Sequence, residues 1–279
     1  MSTRHIARRV RGMPTSDGAG VSLTRVIGQR ALDMLDPFLL LDEFGSDKPG
    51  DYIAGFPEHP HRGFETVTYM LDGRMRHGDN QGNSGLLTAG SVQWMTAGRG
   101  IVHSEMPEQE EGLMRGFQLW VNLPAADKMT APRYQDIAPE AIPEVDPAAG
   151  VHVRVIAGNF GGITGPVSGV ATEPLYLDIA LAPGGKVSVP VPVSHHAFAY
   201  VFDGEGVTLG SSGDALAHRE LAVLDDGDGV MLEAGPSAAR LLLVAGKPLN
   251  EPVARYGPFV MNNTRQIHEA IADFQAGRF

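Results

Sequence analysis

The sequence predicts an all-β protein: two small barrels in tandem, with one short helix at the C-terminal end. Three observations carry that expectation. The 35 glycines and 20 prolines are spread through 279 residues without a three-residue period, so they punctuate many short segments. Those segments are rich in β-branched and aromatic residues. The rhythm of the first half also returns in the second, as an internal duplication would make it.

The elements follow in order. Glu65–Leu71 is β-branched and ends at Asp72-Gly73, a strong hairpin signal. Further turns stand at 79–83 and 89–90, and Ser91–Met95 is another strand. Phe117, Leu119, Val121 and Leu123 alternate with Gln118, Trp120 and Asn122 at period two, so one face packs. Between 131 and 150, prolines at 132, 139, 143 and 147 predict a linker without regular structure. Leu175–Leu181, Ala197–Phe202, Leu221–Leu224 and Arg240–Val244 then repeat the strand pattern. In the last segment Ile267, Ala270, Ile271 and Phe274 fall on one helical face, Asn263 or Thr264 can cap it, and Gly277 lies past its end. The expected domains are therefore 1–130, a linker at 131–150, and 151–279 including the helix.

Composition limits the function. Hydrophobic residues at 43% and charged residues at 20% supply enough apolar surface for a core, which excludes disorder. A formal charge of -11 repels phosphate, so no direct nucleic-acid binding is expected. No run of ~18 apolar residues is present to span a membrane. Arg8-Arg9 is not followed by the apolar stretch of an export signal, so the expected location is cytoplasmic. Arg4, Arg8, Arg9 and Arg11 read as a solvated edge. With no cysteine, any metal must be held by imidazole and carboxylate.

Ten histidines occur, and two pairings stand out. In an extended segment residues i and i+2 share a face, so His59 and His61 project together, as do His103 and Glu105. On neighbouring strands the two pairs can aim three imidazoles and one carboxylate at one interior point, which makes a metal site. Adjacent His195 and His196 face opposite ways, and no second motif follows them, so the second barrel is expected to hold no metal.

His59-Pro60-His61 followed by Glu65 and Gly73, then Gly90 through Gly98 leading to His103, resembles the two metal motifs of the cupin superfamily. Thr96 stands where proline is usual, and His103 follows Gly98 by five positions rather than three. The stretches 36–45, 59–69, 93–107, 118–124 and 257–263 narrow the resemblance to the pirin family across nearly the whole chain. That resemblance implies a bicupin of two double-stranded β-helix (jelly-roll) barrels, with one divalent metal, usually Fe(II), in the N-terminal barrel. Its ligands map onto His59, His61, His103 and Glu105, with Glu65 outside the shell.

It also implies a quercetin 2,3-dioxygenase-type activity, in which an enolic or flavonol substrate reacts with O2 and carbon monoxide leaves. Glu105 is then the candidate base, and Glu65 a second one if it borders the cavity. The alternative implied is a regulator that binds a transcription factor or metabolic enzyme as the metal changes oxidation state.

Other residues read blandly. Asp42 and Glu43 diverge on a strand, one solvated and one hydrogen-bonded. His77 and Asp79 share a face without a partner. Arg99 either meets an anionic substrate or anchors its turn, and Phe56 lies near the metal loop. Phe64, Met70, Trp94 and Met95 are packing residues.

Overall fold

The computed structural model describes residues 2–279, and the chain divides into two compact units. One comprises 13–139 with 249–279; the other comprises the segment through Gly12 with 140–248. Each is all-β, built from a seven-stranded and a four-stranded antiparallel sheet. The helix Thr264–Gln275 is capped by the Asn263 side chain, which accepts from the Gln266 amide.

In the unit of 13–139 and 249–279, the large sheet runs Arg133–Ile137, Val92–Thr96, Phe64–Asp72, Met114–Asn122, Phe38–Ser46, Val21–Ile27 and Met13–Asp17. The small sheet runs Phe56–His61, Ile101–Pro107, Met75–Asp79 and Ser84–Leu87. Apolar residues of both sheets close on one another: Leu23, Phe44, Met70 and Met114 pack with Met75 and Leu87. That packing is confined to one part of the barrel. His59, His61 and His103 lie on two strands of the small sheet.

The other unit repeats the plan and fills it differently. Val153, Leu177, Ile179, Ala199, Leu241 and Leu243 from its large sheet meet Val189, Val207, Leu209 and Leu232 from its small one in a single buried apolar cluster. His195 is buried, with Nε2 2.9 Å from the Glu173 carbonyl, while His196 is exposed.

Two expectations about organisation need correction. Residues 131–150 are not free of regular structure: Arg133–Ile137 pairs with Val92–Thr96, and Glu144–Ala148 pairs with Val151–Ala157. The prolines tolerate this because Pro132, Pro139 and Pro143 flank the strands. Pro147 sits where the register of an edge strand slips, and no ladder bond is needed there. The boundaries also differ from 1–130 and 151–279. Ile6–Arg11 pairs with Glu220–Leu224, and the terminal helix groups with the first histidine-bearing barrel. Such long-range pairings leave no periodicity in the sequence. Arg4 is not on a solvated edge either; it is buried, donating to the Asp225 and Pro192 carbonyls. No helix among the described residues is long and apolar enough to cross a membrane.

Candidate metal centre

The site lies on two neighbouring strands of the small sheet. Phe56–His61 pairs antiparallel with Ile101–Pro107, and the register sets His103 directly opposite His59. His61 lies two residues along, opposite Ile101. Along Ile101–Pro107 the residues Ile101, His103 and Glu105 are buried in alternation, so His103 and Glu105 leave the same face.

The three rings converge. Their centroids lie 4.7 Å (His59 to His61), 4.4 Å (His59 to His103) and 5.0 Å (His61 to His103) apart. One nitrogen from each falls within 4.8 Å of the others, and this group of three histidines could hold a metal ion. Burial holds His61 and His103 well below the usual imidazole range, and the neighbouring histidines add to the effect, so both are neutral at neutral pH. Nδ1 of His61 and both ring nitrogens of His103 are buried without a hydrogen-bond partner. Buried unpartnered nitrogens are costly, and a divalent cation would take the one lone pair that each neutral ring offers. His59 is oriented separately: its Nδ1 lies 2.8 Å from the Pro57 carbonyl, which leaves Nε2 free to face the group.

Glu105 lies outside the cluster of three, and its carboxylate is held by two side chains of the large sheet. The Thr68 hydroxyl donates to Oε1 at 2.7 Å and the Gln118 amide to Oε2 at 3.0 Å. Glu65 is elsewhere. Gly63, at φ +88°, turns the chain between the small-sheet strand ending at His61 and the large-sheet strand starting at Phe64. Glu65 is three residues from Thr68 and leaves the opposite face of that strand. There it accepts from Trp94 Nε1 at 3.0 Å and the Thr96 hydroxyl at 2.6 Å, and it does not border the cavity.

That cavity, about 520 Å³, opens beside the histidines. Leu23, Leu40, Phe44, Phe56 and Trp120 give it apolar walls, and His59, His61, Glu105 and Gln118 give it polar ones. Trp120 sits edge-on to His61, centroids 5.2 Å apart. Phe56 is thus at the metal loop as the sequence suggested. Arg99 is not in the wall; its amide and carbonyl engage Thr130 and Arg62.

Two readings of acidic and basic residues change. Asp42 and Glu43 are both buried and both ion-paired: Asp42 takes Arg25 in a fork at 2.9 and 2.7 Å, and Glu43 meets Arg115 at 3.3 Å. His77 has a partner after all. Its Nε2 lies 3.0 Å from Asp136, which sits in the supposed linker and is also bonded by Gln93. A strand that the prolines seemed to forbid supplies that carboxylate.

Family models agree with the geometry. The pirin model matches residues 20–121, and the model for the pirin C-terminal cupin domain matches 176–279. The chain belongs to the pirin family. A Pseudomonas aeruginosa relative, provisionally named quercetin 2,3-dioxygenase, is 52% identical over 95% of this chain and 94% of its own. A pirin-like protein of Caulobacter vibrioides is 51% identical over the full length of both chains. Among solved structures, quercetin 2,3-dioxygenase from Acinetobacter baumannii superposes with a TM-score of 0.92 at 35% identity, covering 100% of this chain and 99% of that one. The bicupin architecture that the motifs implied is that of these pirins.

Proposed function

We propose that this pirin is a mononuclear dioxygenase that opens a flavonol such as quercetin with O2 and releases carbon monoxide. The observation that carries the reading is the cluster of His59, His61 and His103 beside a largely apolar cavity. The names of its relatives point the same way.

His59, His61 and His103 would hold the metal, Fe(II) in this reading, with Glu105 as the fourth ligand. Three neutral nitrogens and one carboxylate leave a divalent ion with net positive charge and open positions, and imidazole suits iron, nickel and zinc alike. When bound, the metal would supply a Lewis acid for an enolic oxygen and a path for electrons to O2.

The protein's own groups do the rest. Leu40, Phe56 and Trp120 flank a planar aromatic and exclude water. Glu105 takes the enol proton, and Thr68 and Gln118 each hold one of its oxygens in place. Both oxygen atoms of O2 enter the product, and one ring carbon leaves as carbon monoxide.

The test is anaerobic purification, metal analysis, and oxygen uptake with quercetin. Expected are about one metal per chain and uptake matched by carbon monoxide. Metal bound without uptake on any enolic substrate would overturn the reading.

A further inference from the structure

Two arginines stand in the cavity wall, and they differ in what neutralises them. Arg25 gives Nε and Nη2 to Asp42 at 2.9 and 2.7 Å, and Nη2 also to Asp17 at 2.7 Å. Its charge is therefore spent on carboxylates. Arg255 has no carboxylate within ion-pair distance among the described residues. Its Nη1 donates to the Leu39 carbonyl at 3.1 Å, and its Cζ lies over the Trp120 ring at 4.8 Å from the centroid. The other charged residues of the wall are Asp17, Asp42, Glu58 and Glu105.

Trp120 fixes how far that cation is from the chemistry. The ring stands 5.2 Å from His61 on one side and 4.8 Å from Arg255 on the other, so the guanidinium carbon is within about 10 Å of the His61 ring. Stacking on the indole holds the side chain in place without an ion pair. Burial lowers the Arg255 pKa and the nearby Arg25 adds to the effect, while Asp33, Asp42 and Asp17 pull the other way from beyond ion-pair distance; the net is a cation whose surroundings do not fully compensate its charge.

We propose that Arg255 makes this cavity select the ionised form of its substrate, a planar aromatic enolate, acting by its charge from the wall rather than on the reacting atoms. The inference rests on the enolic-substrate reading above and adds to it a residue that sets specificity. At about 10 Å and an effective dielectric of ~20, one unpaired charge favours an anion over its neutral form by roughly tenfold. Neutral enols of the same shape would enter without that advantage.

The test loads wild type, R255Q, R255K and R255E with Ni(II), which suits imidazole sites. Quercetin binding is then followed by its absorbance across pH. In R255Q the ionisation midpoint of the bound flavonol should rise by about one unit, and in R255E by more, with R255K close to wild type. The 3-O-methyl ether of quercetin, whose enol oxygen cannot ionise, should bind all four proteins alike. No shift in the midpoint, or an equal loss for the ether, overturns the proposal.

A second arm does not depend on flavonols. Calorimetry of benzoate against benzamide should show the preference for benzoate falling about tenfold in R255Q, and falling with salt in wild type. If quercetin does not bind even to wild type, the flavonol reading fails and the benzoate ratio alone decides Arg255. An unchanged ratio overturns the proposal.

Discussion

Thr68 donates its hydroxyl to Glu105 Oε1 across the barrel, from the large sheet to the small one, with both residues buried. Together with Gln118 it orients the carboxylate that the proposed reaction needs as ligand and base. Thr68→Val keeps the shape and removes the donor. Outer partners of this kind typically set affinity by 10- to 100-fold, so chelator competition should show metal held about tenfold less tightly. Unchanged affinity would detach Glu105 from the coordination shell.

Glu65 separates from Glu105 by what its loss does. Glu65→Gln places an amide donor against Trp94 Nε1 or the Thr96 hydroxyl, both of which now donate to the carboxylate. Stability should fall by about 1–3 kcal/mol while metal content stays near one per chain. Glu105→Gln should show the reverse order, with metal weakened and the melting temperature changed less. Metal analysis and thermal melting on the two variants decide it.

These residues show what the sequence could and could not carry. The i, i+2 pairs at 59/61 and 103/105 were legible because a strand has a fixed period. Glu65 was ambiguous because parity counted from His61 holds only while the strand continues, and Gly63 breaks it. Asp136 and Arg255 were invisible: each reaches its site from a segment distant in sequence, and no local pattern announces that. The same holds for Ile6–Arg11 and the terminal helix, whose partners lie on the far side of a domain boundary in the chain.

Gly63 is the hinge of that ambiguity, and it tolerates no side chain. At φ +88° an alanine is strained, and its Cβ would stand about 2.0 Å from the Val260 carbonyl. Gly63→Ala should cost more than about 2 kcal/mol and displace His61 with it. Loss of metal together with a lowered melting temperature is the expected signature. A variant of normal stability would mean that the corner can move.

Acid should act on the metal-free protein through His61 and His103. Their folded-state pKa values are depressed by burial, so below about 6.5 the unfolded chain binds protons that the folded one refuses. Stability is then fully present above that pH and is lost as pH falls below it. Replacing both with Gln should flatten the dependence, read by denaturant melts between pH 7 and 5. An equally steep fall in the double variant would place the acid sensitivity elsewhere.

Lys128 is the buried cation at the back of this corner. Its Nζ donates to the Gly63 carbonyl at 2.8 Å, Asn122 Oδ1 at 2.7 Å and the Val260 carbonyl at 3.0 Å, and burial lowers its pKa to about 8. Lys128→Met leaves three buried acceptors unpaired and should cost about 3–5 kcal/mol near neutral pH. Between pH 8 and 10.5 the unfolded chain keeps a proton that the folded amine has released, so this residue's contribution to stability rises with pH across that window. The rise has a ceiling of about 3 kcal/mol. It should fall short of it, because a neutral amine has two hydrogens for three acceptors. The gap in stability between wild type and Lys128→Met should therefore widen modestly from pH 8 to 10. A gap that narrows over that range would mean that the third hydrogen bond outweighs desolvation of the charge.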